Sequence, residues 1–133
     1  MTGFNIIMII AIILFARLGV RLLINYKKRV ILYNWVNDIN CDVVFLQETH
    51  FISEKEYIFN SGWKGTSFHS FSTSSHSKGV SILISSKFHF TLLNQHKSAE
   101  GRIILLNIEH DSKIITLVNI YAPYSENDRV DFF

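Results

Sequence analysis

Apolar residues open the chain as an unbroken run and later recur at helical and strand spacings. The run Ile6–Ala16 has eleven residues, fewer than the roughly 18 to 20 that cross a bilayer as a helix. A continuous isoleucine-rich run is also typical of a strand whose sheet is covered on both faces. We therefore expect residues 1–24 to supply an apolar first strand. The alternative is a membrane-anchor helix over residues 4–24, in which Arg17 would cost about 2.5 kcal/mol or more.

From residue 25 the spacing predicts alternating helix and strand. In the segment YKKRVILYNWVNDIN, Ile31, Trp35 and Ile39 fall at i, i+4 and i+8, with Leu32 and Val36 beside them. This is the spacing of an amphipathic helix. The run Asp42–Leu46 is short, apolar and rich in β-branched residues, which favours a buried strand. Trp35 and Trp63 are both expected in the core rather than as platforms on which nucleic-acid bases stack.

Turn and capping signals divide the middle of the chain. Ser53 followed by Glu56 is the pattern of a capping box that opens a short helix, which should end before Gly62. The segment His69–Gly79 is polar and rich in serine, which predicts a surface loop.

Strand patterns occupy most of the rest of the chain. Two segments joined by Asp111 and Ser112 have the length and turn residues of a β-hairpin. The predicted strands are Val80–Ile84, Phe88–Leu93, Arg102–His110 and Lys113–Tyr121.

Composition indicates the class of protein, and the distribution of charge indicates which kinds of partner the chain could meet. With 48% hydrophobic and 18% charged residues, the chain belongs with soluble globular proteins rather than disordered or collagen-like ones. Cys41 is the one cysteine, so an intramolecular disulfide is excluded, and we expect a buried apolar role and an intracellular location, cytoplasm or nucleus. Residues 1–37 contain no acidic residue, and their five bases can meet phosphate, a membrane surface or water. These bases are Arg17, Arg21, Lys27, Lys28 and Arg29.

Three motifs, taken in order and spacing, carry a family resemblance. They are DVVFLQETHF (Asp42–Phe51), SKGVSILIS (Ser77–Ser85) and EGRIILLNIEHDSKIITLVNIYAP (Glu100–Pro123). Together they resemble the endonuclease/exonuclease/phosphatase superfamily. The likeness is strongest to the apurinic-endonuclease-like domain that LINE-type retrotransposons encode ahead of their reverse transcriptase. It covers residues 19–133.

The resemblance implies a fold and an activity. The fold would be of the α/β (α+β) class, a two-layer β-sandwich flanked by helices with the active site at the strand ends between the sheets. Enzymes of this family cut phosphodiesters with Mg²⁺ and water, and the LINE-type members nick target DNA. Magnesium and DNA are thus the cofactor and the partner that the resemblance implies.

Four residues match or neighbour the family's site. Glu48 closes an apolar strand and corresponds to the metal-binding acid, consistent with the preference of Mg²⁺ for oxygen ligands. Tyr121 corresponds to the family's site tyrosine, a catalytic residue whose hydroxyl can donate to a phosphate oxygen. His50 lies two positions after Glu48, and His50 and Lys78 are candidates for phosphate or DNA contact.

One corner of the family's site is degenerate in this sequence. The family's first strand normally ends in an Asn that helps to hold the metal. Aligning the segment Gly19–Arg29 with that phrase puts Gly19 at the Asn position, where glycine has no ligand atom. In this register Ile9–Leu18 forms the first strand. The six histidines show no zinc-site spacing, so we assign no zinc.

The family's later motifs have no counterpart in these 133 residues. An Asp-x-Asn motif, further Asp residues and a closing His belong to the second half of the family's domain. We therefore expect residues 25–133 to be the N-terminal half of such a domain: an incomplete sandwich, a fragment of a Mg²⁺-dependent endonuclease of retrotransposon origin, and inactive alone. The alternatives are a nucleic-acid or protein interaction module that uses Lys27, Lys28 and Arg29, a small membrane-anchored protein, and a phosphatase of the same superfamily.

Overall fold

A computed structural model of the protein describes residues 9–13, 26–49, 52–72 and 78–122. Within these ranges the chain forms two α-helices and seven strands, and a 3-10 turn at Ser53–Lys55 leads into the second helix. The elements are β1 (Ile9–Ile13), α1 (Tyr26–Asp38), β2 (Val43–Gln47), α2 (Glu56–Asn60), β3 (Gly65–Ser70), β4 (Val80–Ser85), β5 (Thr91–Lys97), β6 (Ile103–His110) and β7 (Lys113–Ile120).

The strands form two sheets. The first has the order β1-β2-β4-β3, with β1 parallel to β2 and with β4 antiparallel to both β2 and β3. The second has the order β5-β6-β7 and is antiparallel throughout. Parallel neighbours need a long crossover between them, and α1 lies in the connection from β1 to β2. This arrangement confirms the predicted α/β class.

Two apolar cores separate three layers. One core lies between α1 and the four-stranded sheet and includes Tyr33, Val36, Cys41 and Leu46. Because side chains alternate along a strand, the neighbouring residues of β2 face the opposite way, into a second core between the two sheets. That second core contains Val43, Phe68, Val80, Ile82, Ile84, Phe88, Ile104, Leu106, Ile108 and Leu117. The molecule is thus a β-sandwich with a helix packed on one outer face, and Cys41 is buried as predicted.

The apolar stripe predicted for α1 is buried only in part. Ile31 and Trp35 are 69% and 46% exposed, whereas Tyr33 and Val36 are buried. Arg29 lies on the buried side and is only 4% exposed. The prediction is confirmed for Val36, Leu32 and Ile39, which lie in or against the core, and wrong for Ile31 and Trp35. The helix α1 carries apolar residues on two sides, and contact with the sheet decides which of them are buried.

The polar segment His69–Gly79 is not wholly a loop. Its first two residues end β3, a strand that the sequence did not predict, and His69 and Ser70 are both buried. The buried hydroxyl of Ser70 has a backbone hydrogen-bond partner: Ser70 Oγ donates to the Ser98 carbonyl at 2.6 Å. A serine-rich composition therefore concealed the end of a strand.

The predicted β-hairpin is confirmed. Strands β6 and β7 pair from Ile103 opposite Ile120 to His110 opposite Lys113. The turn residues Asp111 and Ser112 have φ of +50° and +61°. Positive φ at both central positions is what a type I′ turn requires, and its twist matches that of the strands.

Two other element boundaries differ from the sequence prediction. The strand expected at Phe88–Leu93 is β5, which starts later because Phe88 turns into the core between the sheets. The expected capping box does not form: Ile52 is the N-cap of the 3-10 turn, without a side-chain cap. The turn begins with Ser53 and leads into α2 at Glu56.

The apolar start of the chain contributes a strand. Ile9–Ile13 lies within the run predicted as the first strand and pairs in parallel with Val43–Gln47. Among the residues that the structure describes, no helix is both long enough and apolar enough to span a membrane.

Candidate functional site

One end of the sandwich gathers the motif residues. Strands β2 and β7 end there, and their antiparallel neighbours β4 and β6 begin there. Backbone hydrogen bonds join these ends: Thr49 N donates to Gly79 O at 3.0 Å, and Gly79 N donates to Gly101 O at 2.9 Å. The three sequence motifs, far apart along the chain, therefore meet in one place.

The two residues that the sequence singled out most strongly are in direct contact. The Tyr121 hydroxyl donates to Glu48 Oε1 at 2.5 Å. Glu48 follows β2 in the four-stranded sheet and Tyr121 follows β7 in the three-stranded sheet, so this hydrogen bond crosses between the sheets. The Glu48 side chain is only 6% exposed. A hydrogen bond to an ionised carboxylate is short and roughly twice as strong as one between neutral groups.

The backbone at Glu48 directs its carboxylate toward Tyr121. In a regular strand Glu48 would face the helix side, because its neighbour Gln47 faces the three-stranded sheet. Glu48 instead has φ of +55°, in the left-handed region that non-glycine residues seldom adopt. Such a conformation costs about 1 kcal/mol and is found preferentially at functional sites.

Arg102 fixes the tyrosine from its own sheet. Tyr121 N donates to Arg102 O at 2.8 Å, and Arg102 Nη1 donates to Tyr121 O at 3.3 Å. The guanidinium also lies 5.7 Å from the centre of the Tyr121 ring, within the range of a cation–π interaction. These contacts of Arg102 are all with Tyr121, the tyrosine of the candidate site.

The remaining predicted site residues are placed only in part. Lys78 lies two residues before the start of β4, has φ of +62° and is partly exposed, so it lies beside Gly79 at the site. The structure shows no phosphate or DNA contact of Lys78, which stays a prediction. His50 and Gly19 lie outside the described residues.

Two amides at the site were quoted within the motifs but given no role by sequence reasoning. Gln47 Nε2 donates to Asn119 Oδ1 at 3.2 Å and to the Ile120 carbonyl at 2.7 Å. Asn119 is buried. A polar residue at an inward position of an apolar strand is the signal that could have identified it, because buried amides need partners.

A buried histidine lies behind these amides. His69 Nδ1 is 2.7 Å from Ser81 Oγ, and the His69 ring stacks on Phe71 with 5.3 Å between ring centres. Burial and, to a smaller extent, the nearby Lys97 ammonium lower the pKa of His69 to about 3. His69 is therefore neutral in the folded protein at physiological pH.

This burial predicts a loss of stability in mild acid. The unfolded chain takes up a proton at His69 near its ordinary pKa of about 6.5, while the folded chain does not until about pH 3. The contribution of neutral, buried His69 to the free energy of unfolding is nearly at its full value above about pH 6.5. About 2 kcal/mol of it is lost between about pH 7 and about pH 5. Urea unfolding of the wild type and of His69→Phe at both pH values measures this. The exposed His96→Gln is the control, and an unchanged pH dependence in His69→Phe contradicts the prediction.

Comparisons with known proteins support the resemblance. No protein-family model matches the chain. Over 91 residues, 68% of this chain and 7% of the other, the sequence is 36% identical to the "Transposon TX1 uncharacterized 149 kDa protein" of Xenopus laevis. The chain thus spans a small part of that protein.

Solved structures resemble the fold at low sequence identity. The APE2 catalytic domain of Xenopus laevis has a TM-score of 0.59 at 19% identity, covering 82% of this chain and 46% of that one. The AP endonuclease LMAP from Leishmania major has a TM-score of 0.62 at 19% identity, covering 93% and 42%. Truncated Caenorhabditis elegans TDP2 has a TM-score of 0.55 at 19% identity, covering 85% and 45%. The chain spans less than half of each of these structures. It therefore has, over the part that it spans, the fold of the endonuclease/exonuclease/phosphatase superfamily, which confirms the resemblance that its motifs carry.

Proposed function

We propose that the chain supplies part of a divalent-cation-dependent site for cleaving phosphodiesters in DNA. The observation that carries the proposal is the hydrogen bond from Tyr121 to Glu48 across the two sheets. In this proposal the Glu48 carboxylate binds the cation. The Tyr121 hydroxyl donates to Glu48 in this structure. In the proposal it donates instead to a phosphate oxygen of the bound substrate.

The donor chemistry at Glu48 fits the magnesium that the resemblance implies. Its carboxylate is a hard oxygen ligand held at the end of a rigid strand, and Mg²⁺ commonly binds through one or two carboxylates while keeping several waters. Glu48 would supply one such ligand. The described residues contain no group of three or more His, Cys, Asp or Glu side chains arranged to hold a metal ion. When bound, the cation would neutralise charge that develops on the phosphate.

DNA is the proposed substrate because of the names of the similar proteins and the charges near the site. One similar structure is named an AP endonuclease, and the similar sequence is that of a transposon protein. Lys78 is partly exposed beside the site, and Lys27 is exposed on the first turn of α1. Arg29 is buried, so it does not belong to a surface that meets the DNA backbone. We propose Lys27 and Lys78 as backbone contacts, which position nucleic acid without reading its sequence.

The 133 residues assayed by themselves are proposed to bind cation and DNA without cleaving. The Asp that activates water and the closing His of the family have no counterpart in this sequence. Without a group to activate water, Glu48 and Tyr121 would contribute binding and orientation only.

The proposal predicts cation binding at Glu48. We expect Mn²⁺, added as a paramagnetic probe, to broaden NMR signals of residues around Glu48 and Tyr121. Glu48→Gln should weaken the apparent affinity at least about tenfold, because a neutral amide is a poorer ligand than a carboxylate; this corresponds to about 1.4 kcal/mol. Glu109→Gln is the matched control, since Glu109 is an exposed glutamate near the opposite end of β6. Equal Mn²⁺ affinity in wild type and Glu48→Gln would rule out Glu48 as a ligand.

Plasmid nicking in the presence of Mg²⁺ tests the catalytic part of the same proposal. The wild-type chain should nick no faster than Glu48→Ala. Robust nicking that Glu48→Ala abolishes would support the site and refute the proposed inactivity. Nicking that Glu48→Ala leaves unchanged would count against Glu48 as part of the site.

A further inference from the structure

A second set of hydrogen bonds runs between the sheets beside the Tyr121–Glu48 bond. Gln47 immediately precedes Glu48, and Asn119 lies two residues before Tyr121. The Gln47 side-chain amide donates to the Asn119 amide oxygen and to the Ile120 carbonyl. Both donor hydrogens of the Gln47 amide are therefore directed at β7, next to the tyrosine.

The Asn119 amide completes the link from the other side. Its Nδ2 donates to the carbonyls of Leu46 and Ser81, each at 3.0 Å. Leu46 and Ser81 are directly opposite each other in the β2–β4 ladder. A single side chain of the three-stranded sheet thus bridges two adjacent strands of the four-stranded sheet. Since buried amides are costly to leave without partners, this arrangement strongly favours one register of β7 over β2.

We propose that Gln47 and Asn119 form an inter-sheet amide clamp whose role is to hold the Tyr121 hydroxyl against the Glu48 carboxylate. The clamp joins the same two strand ends as the Tyr121–Glu48 bond, one residue away on β2 and two residues away on β7. Gln47 and Asn119 are positioning residues, because their observed amide contacts are with each other and with backbone carbonyls. This inference rests on the proposed function only in treating the Glu48–Tyr121 pair as the working part of the site.

The contacts between Arg102 and Tyr121 do not link the two sheets. Arg102 binds the Tyr121 backbone and ring, but Arg102 opens β6, in the same sheet that Tyr121 follows. Arg102 fixes Tyr121 relative to β6, whereas apolar packing between the sheets and the amide clamp act on the distance to the other sheet. The clamp fixes that distance, and a displacement of about 1 Å at a site can cost a hundredfold in rate.

The test uses NMR of the whole chain labelled with ¹³C at tyrosine Cζ, whose chemical shift responds to hydrogen bonding of the hydroxyl. Loss of one signal in Tyr121→Phe assigns Tyr121, and Glu48→Ala defines its position when the bond to Glu48 is absent. Tyr33, buried between α1 and the sheet, reports whether the fold is intact. The measurement needs neither cation nor DNA, so its outcome is independent of Mn²⁺ binding and nicking.

The decisive variant is Gln47→Met, which keeps the side-chain volume and removes both amide hydrogen bonds. We expect the Tyr121 signal to move most of the way to its Glu48→Ala position while the Tyr33 signal stays in place. Asn119→Ala should give the same movement if it folds. Asn94→Ala is the matched control, because it removes an exposed amide pair between Asn94 and Asn107 within the three-stranded sheet and should leave both signals unchanged.

Two results would overturn the clamp as a positioning device. One is a Tyr121 signal at its wild-type position in Gln47→Met. The other is loss of the native Tyr33 signal in Gln47→Met, which would show that Gln47 is needed for folding and not specifically for placing Tyr121.

Discussion

Replacing Trp63 by alanine is expected to lower the free energy of unfolding by about 4 kcal/mol, the usual range for deleting a large buried aromatic. The Trp63 side chain is 8% exposed and packs against Tyr33 with 5.3 Å between ring centres. Its indole Nε1 donates to the Thr66 carbonyl at 3.3 Å. The substitution removes this bond and leaves a cavity between α1 and the four-stranded sheet. Urea unfolding followed by circular dichroism measures the change.

The chain offers its own control for this substitution. Trp35 lies on the outer side of α1 and is about half exposed, so Trp35→Ala should lower the free energy of unfolding by less than about 1 kcal/mol. Equal losses at the two tryptophans would contradict the observed orientation of α1.

The second large effect is expected at Gly101. This residue has φ of +77°, and a Cβ added there would lie 2.9 Å from both Gly79 N and Phe71 O. These are backbone atoms in the junction below the site, so they cannot swing away as a side chain would. Gly101→Ala should lower the free energy of unfolding by about 3 kcal/mol, combining the steric clash with an unfavourable φ. Chemical unfolding of the purified variant tests this.

A substitution at Gly62 distinguishes the effect of the steric clash from the effect of the unfavourable φ. It also has positive φ, +87°, but the nearest atom to its added Cβ is Tyr33 Cδ2 at an ordinary 3.9 Å. Gly62→Ala should therefore lose only the conformational part, about 1 kcal/mol. If the two alanine variants lose the same stability, crowding at Gly101 is not the cause.

The parts of the fold that local sequence determines were predictable. The β6–β7 hairpin is one example, because Asp111 and Ser112 and the strands beside them carry the necessary information within one short segment. The buried face of α1 is the opposite case. Ile31 and Trp35 have helical spacing, but so do Tyr33 and Val36, and the choice between them depends on a sheet built from distant residues. The presence of the helix could therefore be predicted from its own segment, but the face that it buries could not.

The candidate site divides in the same way. Glu48 and Tyr121 were identified from their motifs, but their contact joins residues 73 positions apart and depends on how the two sheets pack. The left-handed conformation of Glu48 has no signal in the sequence. Asn119 had a weak signal, a polar residue at an inward strand position, whose meaning appeared only when the carbonyls of the other sheet were in place.

The left-handed backbone at Glu48 has a consequence for which substitutions the fold tolerates there. A single base change converts a glutamate codon into a glycine codon, and glycine adopts a φ near +55° without steric penalty. Glycine at position 48 would therefore relieve backbone strain while it removes the carboxylate that we propose binds the cation. Position 48 is thus a place where the backbone conformation and the carboxylate can be separated by a single substitution, Glu48→Gly.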